Sequence, residues 1–156
     1  MIPRIDLAQL SAGDADAVQA MHGAATEIGF ATVHNTRLDA SRVDDVIETY
    51  RSFFKLPEAE KMPYDMGATG SNRGWGAAGS EQVDPDANPD YKQYFDSGVE
   101  LAAGDPRALM PVYGTNQWPS DDPKFRELIL GYYDDAIYVA MGVLRGIAAA
   151  IDMPDD

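Results

Sequence analysis

The stretch from Asp122 to Ile151 limits the fold more than any other part of this chain. Asp122 offers a side-chain cap and Pro123 suits the first turn of a helix. Phe125, Leu128, Ile129, Tyr132, Tyr133, Ala136, Ala140, Leu144, Ile147 and Ile151 then recur at helical spacing. At about 1.5 Å per residue such a helix spans roughly 42 Å. Residues 136–151 carry a single charge, Arg145, while Ile137, Val139, Met141 and Val143 make this half apolar on nearly every side. A helix of that kind calls for burial all round. The rest of the chain has to cover it or leave it for another surface.

The rest predicts only short elements. Ile5 and Leu7 alternate with polar neighbours, which suggests a short strand. Asp14 caps a helix over about 15–28, with Val18, Met21, Ala25 and Ile28 on its apolar face. Gly29 tolerates the left-handed turn that stops it. Phe30 to His34 reads as a second strand. Asp39 caps a helix over 40–55, whose stripe of Val43, Val46, Ile47, Tyr50, Phe53 and Phe54 ends at Leu56-Pro57. A helical turn follows at 58–62. Glycine and proline are frequent across 64–122, and the helical period is lost there. Within that loop-rich segment, Phe95, Val99 and Leu101 alternate with Asp96, Gly98 and Glu100, predicting a strand over 93–101. The fold class expected is α+β, as one domain over residues 1–156.

Composition removes several functions. There is no cysteine, so neither a disulfide framework nor a thiolate metal site can form. A net charge of −14 repels phosphate backbones and excludes nucleic acid as an expected partner. No apolar run is long and clean enough to span a bilayer, and no signal peptide is recognisable, so a cytoplasmic setting is expected. The acidic pairs Asp44-Asp45, Asp121-Asp122, Asp134-Asp135 and Asp155-Asp156 read as solvated faces and helix starts.

Five landmarks stand in one order: Ile2-Pro3-Arg4-Ile5-Asp6-Leu7; Gly29-Phe30; Phe53-Phe54-Lys55-Leu56-Pro57 with Glu60-Lys61 behind; Arg73-Gly74-Trp75; and Asn116-Gln117-Trp118-Pro119. Together they resemble the N-terminal region of the isopenicillin N synthase-like family of non-haem iron oxygenases, most of which use 2-oxoglutarate. The resemblance implies a helix-rich cap with a few strands, the non-catalytic half of a jelly-roll oxygenase. It implies Fe(II) and 2-oxoglutarate for the complete enzyme, a small-molecule substrate, and a partner in the C-terminal jelly-roll half, in cis or as a separate chain.

That half holds the family's metal through two histidines and a carboxylate, the first pair as His-x-Asp or His-x-Glu. This chain has only His22 and His34, followed two positions on by Ala24 and Thr36. The family's Arg-x-Ser pair for 2-oxoglutarate has no counterpart either. No catalytic residue, metal ligand or cofactor contact is therefore expected here, and the chain alone should be inactive. A cut fragment, an interrupted gene and a separately encoded half all fit.

Gly74-Trp75-Gly76-Ala77-Ala78-Gly79 matches the Gly-x-Gly-x-x-Gly pattern, but Thr69–Asn72 before it and Ser80–Pro85 after it are a poor strand and a poor helix. The resemblance instead makes this the loop near the active-site mouth, where Arg73 meets a substrate carboxylate and Trp75 forms a wall. An arginine that only bonds loop carbonyls is the other reading of Arg73. Asp84-x-Asp86-x-Asn88 opens like a calcium loop, yet Pro89 and Phe95 stand where glycine and glutamate are needed. The alternative from another class is a non-catalytic interaction module that docks or self-associates through its apolar last helix.

Overall fold

The computed structural model describes residues 1–82, 84 and 86–153. The pair Asp155-Asp156, and Val83 and Pro85 in the segment after the glycine pattern, lie outside the described residues. In chain order the elements are β1 (Arg4–Asp6), α1 (Leu7–Ser11), α2 (Ala15–Gly23), β2 (Thr32–His34), α3 (Ala40–Phe54), α4 (Glu58–Lys61), α5 (Met66–Thr69), β3 (Gly74–Gly76), β4 (Tyr94–Asp96) and α6 (Pro123–Ala150). A π-helical turn, Ala24–Ile28, prolongs α2, and 3-10 turns occupy Met62–Tyr64 and Pro106–Leu109. This is the helix-rich α+β arrangement the sequence predicts. The chain divides into two compact units, Met1–Val43 with Asp134–Asp156, and Asp44–Tyr133.

In the first unit, β1 pairs in parallel with β2, setting Ile5 beside Val33. The alternation that suggested a strand through Leu7 breaks one residue earlier. The Asp6 carboxylate accepts the Ala8 and Gln9 N–H groups at 2.8 and 3.1 Å, and this cap starts a helix at Leu7. Asp14 caps α2 in the same way, through Asp16 and Ala17. Gly29 stops the π-turn in the left-handed region at φ 78°. Ile5, Leu7, Leu10, Ala17, Met21, Ala24 and Ala150 form the core. The all-round burial expected of the apolar helix is not met. Gly142, Gly146 and Ala150 are buried, but Ile137, Tyr138, Met141 and Leu144 are exposed. The core covers one face, where α6 is thinned by glycine so that leucines can dock. A Cβ at Gly142 would lie 3.1 Å from Leu7 Cδ1, and one at Gly146 would overlap the Leu10 side chain.

The second unit is built on aromatic rings. Val46, Phe53, Trp75, Phe125 and Ile129 are buried together, with Tyr50, Phe54, Phe95 and Trp118 packed on them. Phe53 meets Phe95 edge-on at 5.0 Å between ring centres, and Tyr50 meets Phe125 at 5.4 Å. Edge contacts of this kind add to the area term. Asp122 caps α6 through the Lys124 and Phe125 N–H groups. The strand expected over 93–101 shrinks to β4, which pairs antiparallel with β3, Trp75 opposite Phe95. Beyond Asp96 the expected alternation inverts: Gly98 is buried and Val99 is exposed. No pattern in the sequence marked β3, because two of its three residues are glycine. Those glycines are needed there. A Cβ at Gly76 would overlap the Tyr94 ring, and one at Gly74 would overlap the Tyr64 carbonyl oxygen.

Candidate functional site

Arg73 stands immediately before β3, and its backbone is fixed by Ser71, whose Oγ accepts the Arg73 N–H at 3.1 Å. The residue is half-buried, and its guanidinium faces backbone. Nη1 donates to the Asn72 carbonyl at 3.2 Å and Nη2 to the Val112 carbonyl at 3.1 Å. Asn72 Nδ2 donates to the same Val112 oxygen at 3.2 Å. Among the described residues no carboxylate ion-pairs with Arg73. Arg51, Arg107 and Arg126, in the same unit, pair with Glu48, Asp105 and Glu100. A guanidinium has five N–H donors in a planar fork, so two carbonyls leave most of Arg73's capacity for an acceptor from outside.

Trp75 takes a different position from the substrate wall implied by the resemblance. It is 1% exposed, at the centre of the aromatic core. Its indole N–H donates to Gln93 Oε1 at 3.1 Å. Lys61, 4% exposed, donates to the same oxygen at 2.7 Å and to the Phe54 carbonyl at 3.1 Å. The Lys61 ammonium also lies 5.2 Å from the centre of the Trp75 ring, a cation–π contact strengthened by burial. The ring therefore anchors the strand that follows Arg73.

Behind Arg73 runs a polar chain that the sequence did not mark. Asn116 makes a two-point contact with Gly98: the Gly98 N–H donates to Asn116 Oδ1 at 2.9 Å, and Asn116 Nδ2 donates to the Gly98 carbonyl at 2.8 Å. Glu100 accepts from the Trp118 indole at 2.6 Å and from the Arg126 guanidinium. The Arg126 hydrogen bond holds the Glu100 carboxyl below its ordinary range against the opposing effect of burial, and the Trp118 indole adds a smaller contribution in the same direction as Arg126. Asn116 and Trp118 belong to a landmark of the sequence, but nothing in it linked them to Arg73 across more than forty residues of chain.

The two histidines serve other ends. His22 Nδ1–H donates to the Ala150 carbonyl at 2.8 Å, and His34 Nδ1 lies 4.0 Å from Asp6 Oδ2. Among the described residues, no group of three His, Cys, Asp or Glu side chains is placed to hold a metal ion. A cavity of about 490 Å³ in the second unit is lined by Phe53, Glu60, Tyr64, Ser120 and Asp121 among others, and by neither Arg73 nor Trp75. No helix among the described residues is long and apolar enough to cross a membrane.

Residues 2–121 match the family described as non-haem dioxygenase in morphine synthesis, N-terminal. The chain is 30% identical, over 82% of its length, to the 2-oxoglutarate-dependent dioxygenase gloF of Glarea lozoyensis, and covers 40% of that protein. It is 31% identical, over 89% of its length, to a homoarginine-6-hydroxylase of Arabidopsis thaliana, covering 42% of it. Among solved structures it is similar to a 2OG-Fe(II) oxygenase family protein from Caulobacter crescentus. That likeness has a TM-score of 0.79 and 25% identity, and covers 97% of this chain and 49% of the other. A Neurospora crassa protein crystallised with alpha-KG and thymine has the same fold, at a TM-score of 0.74 and 23% identity over 98% of this chain and 49% of its own. The chain thus spans less than half the length of each of these four proteins.

Proposed function

Because the chain belongs to the family of non-haem dioxygenase N-terminal domains, we propose that it is the N-terminal portion of an iron- and 2-oxoglutarate-dependent oxidoreductase acting on a small molecule. The observation that carries this reading is the overlay of nearly the whole chain on half of a solved oxygenase. In this reading residues 1–156 work as one domain in a cytoplasmic enzyme. The metal ligands come from the C-terminal jelly-roll half, in cis or as a separate chain. That half also covers the exposed Ile137, Met141 and Leu144. Iron and 2-oxoglutarate supply the oxidising chemistry when bound there. The residues described here bind and orient substrate, with Arg73 offering its free N–H groups to a substrate carboxylate. Trp75 contributes by holding the strand after Arg73 in place.

The comparisons do not favour the alternative of a non-catalytic module that docks or self-associates through its apolar last helix. The reading is tested by giving the purified chain ferrous ion, 2-oxoglutarate and dioxygen and measuring succinate. No succinate is expected from the chain alone, and turnover is expected once a jelly-roll half carrying His-x-Asp or His-x-Glu is supplied. Succinate formation by the chain alone would overturn the assignment of the metal to another half.

A further inference from the structure

We infer that Gly98 and Asn116 are positioning residues for Arg73: Gly98 is the floor on which the guanidinium lies, and Asn116 clamps that floor. The inference rests on the reading of Arg73 as the substrate-carboxylate contact, and it adds how the cation is held ready.

The Arg73 guanidinium lies against the Gly98 backbone so closely that no side chain fits between them. A Cβ built on Gly98 would be 2.8 Å from Arg73 Nε, 2.8 Å from Nη2 and 3.0 Å from Cζ. Such distances require the arginine to move. Gly98 is also buried. It is not needed here for backbone conformation, since its φ is not among the positive values of this chain. Its lack of a side chain therefore serves the space above it. The residue is then fixed from the other side. Both backbone polar groups of Gly98 are taken by the single Asn116 amide, at 2.9 and 2.8 Å. An amide that satisfies the N–H and the C=O of one residue ties down the peptide groups on both sides of it. The Val112 carbonyl also fixes Nη2 of the same guanidinium. The fork is thus held on one face by Gly98 and at Nη1 and Nη2 by carbonyls, with no carboxylate pairing it among the described residues. A long, flexible arginine costs rotamer entropy when it binds an anion. Holding it in advance removes much of that cost.

The test uses the chain labelled with nitrogen-15 and follows the Arg73 Nε–H resonance, with hexanoate as the carboxylate probe and hexanamide as its neutral match. In the unsubstituted chain the resonance should be dispersed and slow to exchange. Hexanoate should shift it and hexanamide should not. Gly98→Ala places a methyl group against the guanidinium without straining its own backbone. It should collapse the resonance to the random-coil position and weaken hexanoate binding by about tenfold, the loss of one charge-assisted hydrogen bond. Asn116→Ala should act in the same direction. If it does not fold, as judged by near-ultraviolet circular dichroism, Gly98→Ala decides alone. If hexanoate binds at Arg73 equally well in Gly98→Ala, with the resonance unmoved, the positioning role is overturned and Arg73 keeps its carboxylate. If hexanoate leaves Arg73 unmoved in the unsubstituted chain, the carboxylate reading falls, and this inference with it.

Discussion

Lys61 is buried without a carboxylate beside it among the described residues, which is unusual for lysine. Its ammonium is kept by the Phe54 carbonyl, by Gln93 Oε1 and by the Trp75 ring face. Lys61→Met keeps the apolar stem but leaves the Phe54 carbonyl without this donor. It should destabilise the chain by about 1–3 kcal/mol, read as a lower urea midpoint with unchanged slope. Glu100 gives a second residue-scale prediction, now in pH. Its carboxyl is depressed below the ordinary value of 4.5, chiefly by the Arg126 hydrogen bond. A depressed carboxyl adds stability that is present above its unfolded value and is lost as pH falls through its folded one. Acid titration should therefore release the Trp118 indole below pH 4.5. A tryptophan fluorescence transition in that range should be absent from Glu100→Gln.

At the scale of elements, α6 contains its own control experiment. Gly146 faces Leu10 with no room for a side chain, whereas Leu144 is 58% exposed. Gly146→Val should cost about 1–3 kcal/mol through overpacking. Leu144→Lys should stay within about 0.5 kcal/mol in the isolated chain. Thermal melts of the two variants separate a packed face from an uncovered one. The elements that could be read from sequence are those set by local chemistry. Asp14, Asp39 and Asp122 each cap the helix expected of them, because a cap acts over three residues. The strands were less legible. β3 exists only through its pairing with β4, and the inverted alternation after Asp96 follows from Asn116 holding Gly98 inward. The site divides the same way. Arg73 was visible in its landmark. Its floor and clamp were not, since the pairing of residues 98 and 116 is made by folding and leaves no periodicity.

At the scale of the whole molecule, the charge of −14 works against compactness. Raising ionic strength from about 0.01 M to about 0.15 M shortens the Debye length from about 30 Å to about 8 Å. The melting temperature should rise over that interval, and a fall would show that the ion pairs outweigh the net repulsion. The core of the first unit joins Ile5, Leu7 and Leu10 to Ala150, and this has a consequence for how the protein is made. A ribosome releases the leucines first. At about 5–20 residues per second, it then needs about 7–28 s to deliver the helix they dock on. Until then the newborn N-terminus can close only on its own Ala17, Met21 and Ala24, without the helix that carries Ala150. Its apolar side chains are held open to chaperones, and this unit completes only after translation has passed Ala150.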